Sequence, residues 1–237
     1  VISWDNNSSA SAAQEVVRQV AYHNTSDNPS TAARVLDFVV TDGDGGTSNI
    51  SQGAVLVSAD NDAPVVDLNG SNGAGIDFAT TFTEDGGAVN VTDTDAIISD
   101  VDDTSFQSLG INLSGMSDGA SELVTVGGYT FTYDLAETVT RTVGSTDFEI
   151  DFDGTGFSIS EDGGGNMPLA DVQSLLRGIT YENSSQNPTT GNRTIDIEVQ
   201  DVAGLISNTA TSTITVNAVN DTPTLAATAA NDSLTEN

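Results

Sequence analysis

Laid on itself at an offset of 159 residues, the chain matches without a gap: residues 21–46, AYHNTSDNPSTAARVLDFVVTDGDGG, lie over 180–205, TYENSSQNPTTGNRTIDIEVQDVAGL. Tyr22 meets Tyr181, Asn28-Pro29 meets Asn187-Pro188, Arg34 meets Arg193, Asp37 meets Asp196 and Asp42 meets Asp201. The register runs on to an Asn-Asp-x-Pro signature, Asn61-Asp62-Ala63-Pro64 over Asn220-Asp221-Thr222-Pro223. A copied unit of this length implies tandem domains, and the signature marks where one ends and the next begins. The chain therefore parses into the back part of one repeat (1–63), a whole repeat (64–222) and the start of a third (223–237). With no signal peptide and no apolar run of membrane-spanning length, the expectation is a segment of a longer array. The first copy, which lacks a front half, is expected to be less well folded than the whole repeat or to borrow a partner.

The whole repeat reads as almost all strand. Alternation is clean in YTFTY (Tyr129, Phe131, Tyr133), FEIDF (Phe148, Ile150, Phe152) and RTIDIEV (Ile195, Ile197, Val199). The Asp153-Gly154 pair between two such runs predicts a hairpin, and the last strand is STITVNAV with Ile214, Val216 and Ala218 inward. Short strands separated by Gly and Asp turns predict an all-β fold, antiparallel β-sandwiches in tandem. One stretch breaks the pattern: Pro168 opens and Gly178 closes a segment with Leu169, Val172, Leu175 and Leu176 at helical spacing. Its counterpart, Ala13 to Val20, keeps apolar residues at 13, 16, 17 and 20, which gives one short helix per repeat, packed by its apolar stripe against an end of the sandwich.

Charge narrows the function. Thirty-five acids face five bases for a formal net charge of -30, with no lysine and no cysteine. Such a chain repels nucleic acid and anionic membrane surfaces, and neither disulfides nor thiolate metal sites can brace it. Twenty-six of the acids are Asp, which favours turns over helices and so places carboxylates in loops. Composition alone leaves two readings open: oxygen ligands for a hard divalent cation, or a solvated acidic surface suited to salty water.

Position separates them. Glu84 lies in TFTEDGG; Asp100 and Asp102 follow in SDVDD; Asp201 ends a predicted strand in EVQD; Asn220-Asp221 closes the repeat. In this order the four elements resemble cadherin-type repeats, and YENSSQNPTTGNRTI is similar to the long cadherin-like repeats of very large bacterial surface adhesins. The repeat is longer than a usual cadherin domain, which implies an insertion between Asp103 and the helix, and the family's Asp-Arg-Glu has no clean copy. The resemblance implies an immunoglobulin-like Greek key and a Ca2+ site at the junction, held by Asn61 and Asp62 with Asp100, Asp102 and Asp201, Asp60 and Asp103 being lesser candidates. Glu84 would serve the opposite end with Asn220 and Asp221, and Asp42 would serve a junction upstream unless it is an ordinary turn residue. The DTD at 93–95 reads as turn chemistry.

The same resemblance implies a secreted or cell-surface protein, bacterial and from a marine or high-salt setting. Its partners would be neighbouring repeats of the same chain and homophilic, cell-surface or polysaccharide ligands. Calcium would turn mutually repelling linker carboxylates into ligands and stiffen the array into a rod that extends an adhesin for attachment. Enzyme chemistry finds little footing: the single histidine, His23, is Glu182 in the second copy, and no phosphate loop or EF-hand pattern exists. Without lysine, a Lys-Asn isopeptide crosslink is excluded. The alternative is a polysaccharide-binding module in which Tyr129, Phe131 and Tyr133 stack on sugar rings, although their alternation favours the core.

Overall fold

A computed structural model describes residues 9–223 apart from residues 43 and 72; the expected third repeat beyond residue 223 lies outside the described residues. The described chain is mostly β, in antiparallel and mixed sheets with two short helices. It divides into two compact units at Asp62/Ala63, inside the Asn-Asp-x-Pro signature.

The first unit holds α1 (Ala10–Arg18) and an antiparallel pair, β1 (Arg34–Phe38) and β2 (Ser51–Val55). Helix α1 lies earlier than the expected 13–20 because the Ser9 hydroxyl accepts the Ala12 N–H and caps it there, which leaves exposed Val20 beyond the helix. None of its side chains is buried.

The second unit runs through β3 (Val65–Asp67), β4 (Phe78–Thr83), β5 (Val89–Asn90), β6 (Ile97–Ser99) and β7 (Ser105–Ser114). Then come β8 (Glu122–Val126), β9 (Tyr129–Thr132), β10 (Glu137–Val143), β11 (Thr146–Phe152) and β12 (Gly156–Glu161). Last are β13 (Met167–Pro168), α2 (Leu169–Arg177), β14 (Thr180–Asn183), β15 (Gly191–Asp201) and β16 (Ala210–Asn217). One sheet has the order β10-β11-β12-β7-β15-β16-β4 with β13 alongside β7; a second has the order β5-β14-β8-β9; β3 pairs with β6. All pairings are antiparallel except β16 with β4.

The sequence repeat is also a structural one. Shifting α1 by 159 residues gives the bounds of α2, and the pairing Arg34↔Val55 through Phe38↔Ser51 recurs as Arg193↔Ile214 through Ile197↔Ala210.

Alternation builds the core. Phe148, Ile150 and Phe152 of β11 and Ile195, Ile197 and Val199 of β15 are buried while their neighbours face outward. Phe131 of β9 meets Phe152 and Phe157 of the large sheet edge-on, at 5.7 and 5.0 Å, and Phe82 meets Tyr181 at 5.6 Å, so the two larger sheets share one core. Helix α2 adds Val172, Leu175 and Leu176. The Asp153-Gly154 hairpin forms as expected between β11 and β12: Asp153 Oδ1 accepts the N–H groups of Thr155 and Gly156, and Gly154 takes φ +101°. Ala218 departs from expectation, because β16 ends at Asn217 and Ala218 is exposed.

Candidate metal centre

Strand β15 ends on Asp201, fully buried where its pairing with β7 shifts register. The next residues fold into a tight turn: the Asp201 N–H donates to the Leu205 carbonyl at 3.0 Å, and Asp201 Oδ1 accepts the N–H groups of Gly204 and Leu205 at 2.6 and 2.8 Å. A second turn follows β6. There Asp100 Oδ1 accepts the N–H groups of Asp102 and Asp103 at 3.0 and 3.2 Å, while its Oδ2 is buried with no hydrogen-bond partner. The two turns bring one carboxylate oxygen each from Asp100, Asp103 and Asp201 within 4.8 Å of one another.

Asp103, ranked below Asp102 in the sequence, is thus the one that joins Asp100 and Asp201. In an extended Asp-x-Asp, residues 100 and 102 would share a face; the turn at Asp100 bends the chain and returns the third residue instead. Electrostatics are strained accordingly. Burial, then the neighbouring Asp102, pushes the Asp100 carboxyl above its ordinary range; burial, then the charges of Asp102 and Asp201, does the same to Asp103. Three carboxylates with a buried, unpartnered oxygen and no nitrogen or sulfur donor among them fit a hard divalent cation such as Ca2+.

Asp42 forms the same turn in the first unit. Its N–H donates to the Gly46 carbonyl at 3.0 Å and its Oδ1 accepts the Gly46 N–H at 2.7 Å, but its side chain is exposed.

The opposite end of the second unit holds Glu84. It follows β4, donates its N–H to the Asn217 carbonyl at 3.0 Å and accepts the Val219 N–H on Oε2 at 2.7 Å. The side chain is 3% exposed and Oε1 is buried with no hydrogen-bond partner. Asn220 and Asp221 beside Val219 are exposed, and Asn220 Nδ2 donates to the Asp221 carbonyl at 3.2 Å, as Asn61 does to that of Asp62. Asn61 and Asp62 close the first unit, with Asp60 exposed before them. Gly191 pairs with Val216 near Glu84 while Asp201 lies at the far end of β15, so the strand holds the two acidic features roughly 33 Å apart.

One charged cluster has no forewarning in the sequence beyond the recurrence of Arg34 as Arg193. Arg193, 1% exposed, donates from Nε to Glu122 Oε1 at 2.9 Å and from Nη2 to Asp118 Oδ2 and the Thr189 carbonyl, both at 3.0 Å. Burial raises the Asp118 pKa, but hydrogen bonds from Thr189 and Asn183 and the Arg193 charge outweigh it, and the net shift is downward. Burial pushes the adjacent Tyr181 phenol up to about 12. One arginine neutralises both acids, leaving Glu122 Oε2 buried without a hydrogen-bond partner, and the cluster ties β8 to β15.

The YTFTY row faces inward. Phe131 is 1% exposed, Tyr129 packs on it at 4.9 Å, and Tyr133 is partly buried against the core, so the row offers sugar rings no open platform. No helix among the described residues is long and apolar enough to cross a membrane. These features define a β-rich repeat with an oxygen-only acidic centre at one end. No known family model matches the chain, and no curated protein matches it.

Proposed function

We propose that residues 63–223 form a calcium-binding β-sandwich repeat, cadherin-like in topology, that stiffens and extends a large bacterial surface adhesin outside the cell. The observation that carries the reading is the approach of Asp100, Asp103 and Asp201 within 4.8 Å, in the turns that follow β6 and β15. Asp102, between Asp100 and Asp103 in the same turn, adds a further carboxylate to the set. Glu84, Asn220 and Asp221 form the matching half-site for the next repeat. The parallel edge pairing of β4 with β16 and the core shared by two sheets support the sandwich. Calcium bound there supplies the counter-charge for carboxylates that otherwise repel one another, and the millimolar affinity of extracellular modules suits a surface protein.

Thermal unfolding paired with small-angle scattering, in millimolar calcium and after chelation, tests this. A higher melting temperature and a longer, stiffer envelope in calcium are expected. Curves that superimpose in the two conditions would overturn the reading.

A further inference from the structure

We propose that the open edge of the large sheet, β10, is a self-pairing surface through which two copies of this chain join antiparallel, side by side. This is independent of the calcium reading, since β10 belongs to neither acidic end.

Among the described residues β10 pairs only with β11, so its other side presents unpaired backbone groups. The Gly144-Ser145 turn between them has two residues, with Gly144 at φ +64°, and Val143 opposes Thr146. In such a hairpin the closing pair exchanges both backbone bonds, and bonded pairs then alternate. Residues 137, 139, 141 and 143 therefore bond to β11, while Thr138, Thr140 and Thr142 aim N–H and C=O at the open edge.

Natural edges are guarded by lysine, proline, a bulge or an inward charge. Strand β10, ETVTRTV, contains neither lysine nor proline, and its register with β11 is continuous. Its arginine does not guard the edge either, because Arg141 lies over the Tyr129 ring at 5.6 Å, whose hydroxyl donates to Glu137 at 2.7 Å. The remainder is Thr and Val, which favour strands.

Charge chooses the occupant. The chain carries -30 overall, yet β10 holds one acid and one base and is neutral. A two-fold axis through Val139 sets Glu137 of each copy opposite Arg141 of the other and Thr138 opposite Thr140, in a register that satisfies the outward backbone groups. Extended past the strand, it sets Leu135, 58% exposed, opposite Val143. The strand is thus complementary to its own copy. One seven-residue edge buries too little for a tight dimer, so the contact is weak between single units and gains strength only where repeats are multiplied along neighbouring chains. Repulsion between chains this acidic makes it stronger at high salt.

The test is sedimentation of the full chain up to millimolar concentration, at low and high salt. A weak dimer that strengthens with salt is expected. Thr140→Pro removes only an outward N–H and should abolish the dimer while leaving the melting temperature close to that of the parent. Glu137→Arg should weaken association roughly tenfold, and Glu137→Arg with Arg141→Glu should restore it. Because the chain has no cysteine, Val139→Cys should crosslink under mild oxidation faster than the exposed control Thr215→Cys. A monomer at every concentration and salt, a dimer indifferent to both Thr140→Pro and Glu137→Arg, or equal crosslinking at 139 and 215 would each overturn the proposal.

Discussion

Asp201→Asn separates the two things Asp201 does. Its Oδ1 holds the turn by accepting the N–H groups of Gly204 and Leu205, and an asparagine amide oxygen can accept both. Its charge, by contrast, is one third of the trio with Asp100 and Asp103. For a site of extracellular strength, Kd about 0.1–1 mM, calcium at about 10 mM stabilises by RT ln(1 + [L]/Kd), or about 1.4–2.7 kcal/mol. In a unit of about 160 residues that raises the melting temperature by about 3–10 °C. The variant should keep the melting temperature of the calcium-free parent, or exceed it slightly because one like charge is gone, and should lose most of the calcium-dependent rise. Scanning calorimetry of both proteins, chelated and in calcium, reads the two effects apart. A variant that retains the full rise would place the cation elsewhere. A large fall in the chelated variant would show that the charge itself, and not only the oxygen, holds the turn.

Arg193→Met should cost about 3–5 kcal/mol in denaturant unfolding, because Glu122 stays buried with its charge uncompensated; adding Glu122→Gln should recover part of it. Calcium affinity should fall as pH drops. The Asp100 and Asp103 carboxyls are raised above 3.8 in the folded unit, so without a cation the folded state binds their protons more tightly than the unfolded one. Their contribution to stability is therefore gained as pH falls through the raised values and lost as it rises. Calcium must displace those protons, and calorimetry in two buffers of different ionisation enthalpy should detect their release in that window.

What could be read from the sequence was whatever has a local period. The inward sets of β11 and β15 follow from alternation, and α2 follows from helical spacing between Pro168 and Gly178. Helix α1 was misplaced because its start is set by a cap, Ser9, outside the apolar pattern. Asp103 ranks below Asp102 in the sequence because the resemblance supplies an Asp-x-Asp motif, whereas the turn at Asp100 returns the third residue. The Arg193 cluster was invisible because Glu122 and Asp118 lie 71 and 75 residues away in the chain. Burial of Glu84 likewise depends on β16, which arrives more than a hundred residues later.

The two copies show which interactions set backbone register and which supply burial. Arg34 Nη2 donates to the Ser30 carbonyl at 3.1 Å as Arg193 Nη2 does to that of Thr189, and the turn at Asp42 repeats the turn at Asp201. Hairpin and turn are therefore set locally by residues present in both, while the helices start at equivalent positions on different residues, Ser9 and Pro168. Burial is not: α2 buries Val172, Leu175 and Leu176 where α1 buries none, and Arg193 is fully buried against two carboxylates where Arg34 is only partly buried. The difference comes from residues 64–161, which bring Asp118, Glu122 and much of the core. The same residues bring Asp100 and Asp103, so the turn at Asp201 joins a three-carboxylate cluster only when a front half folds onto it. Rigidity in such an array would then depend on each repeat completing its own core before its end can take a cation.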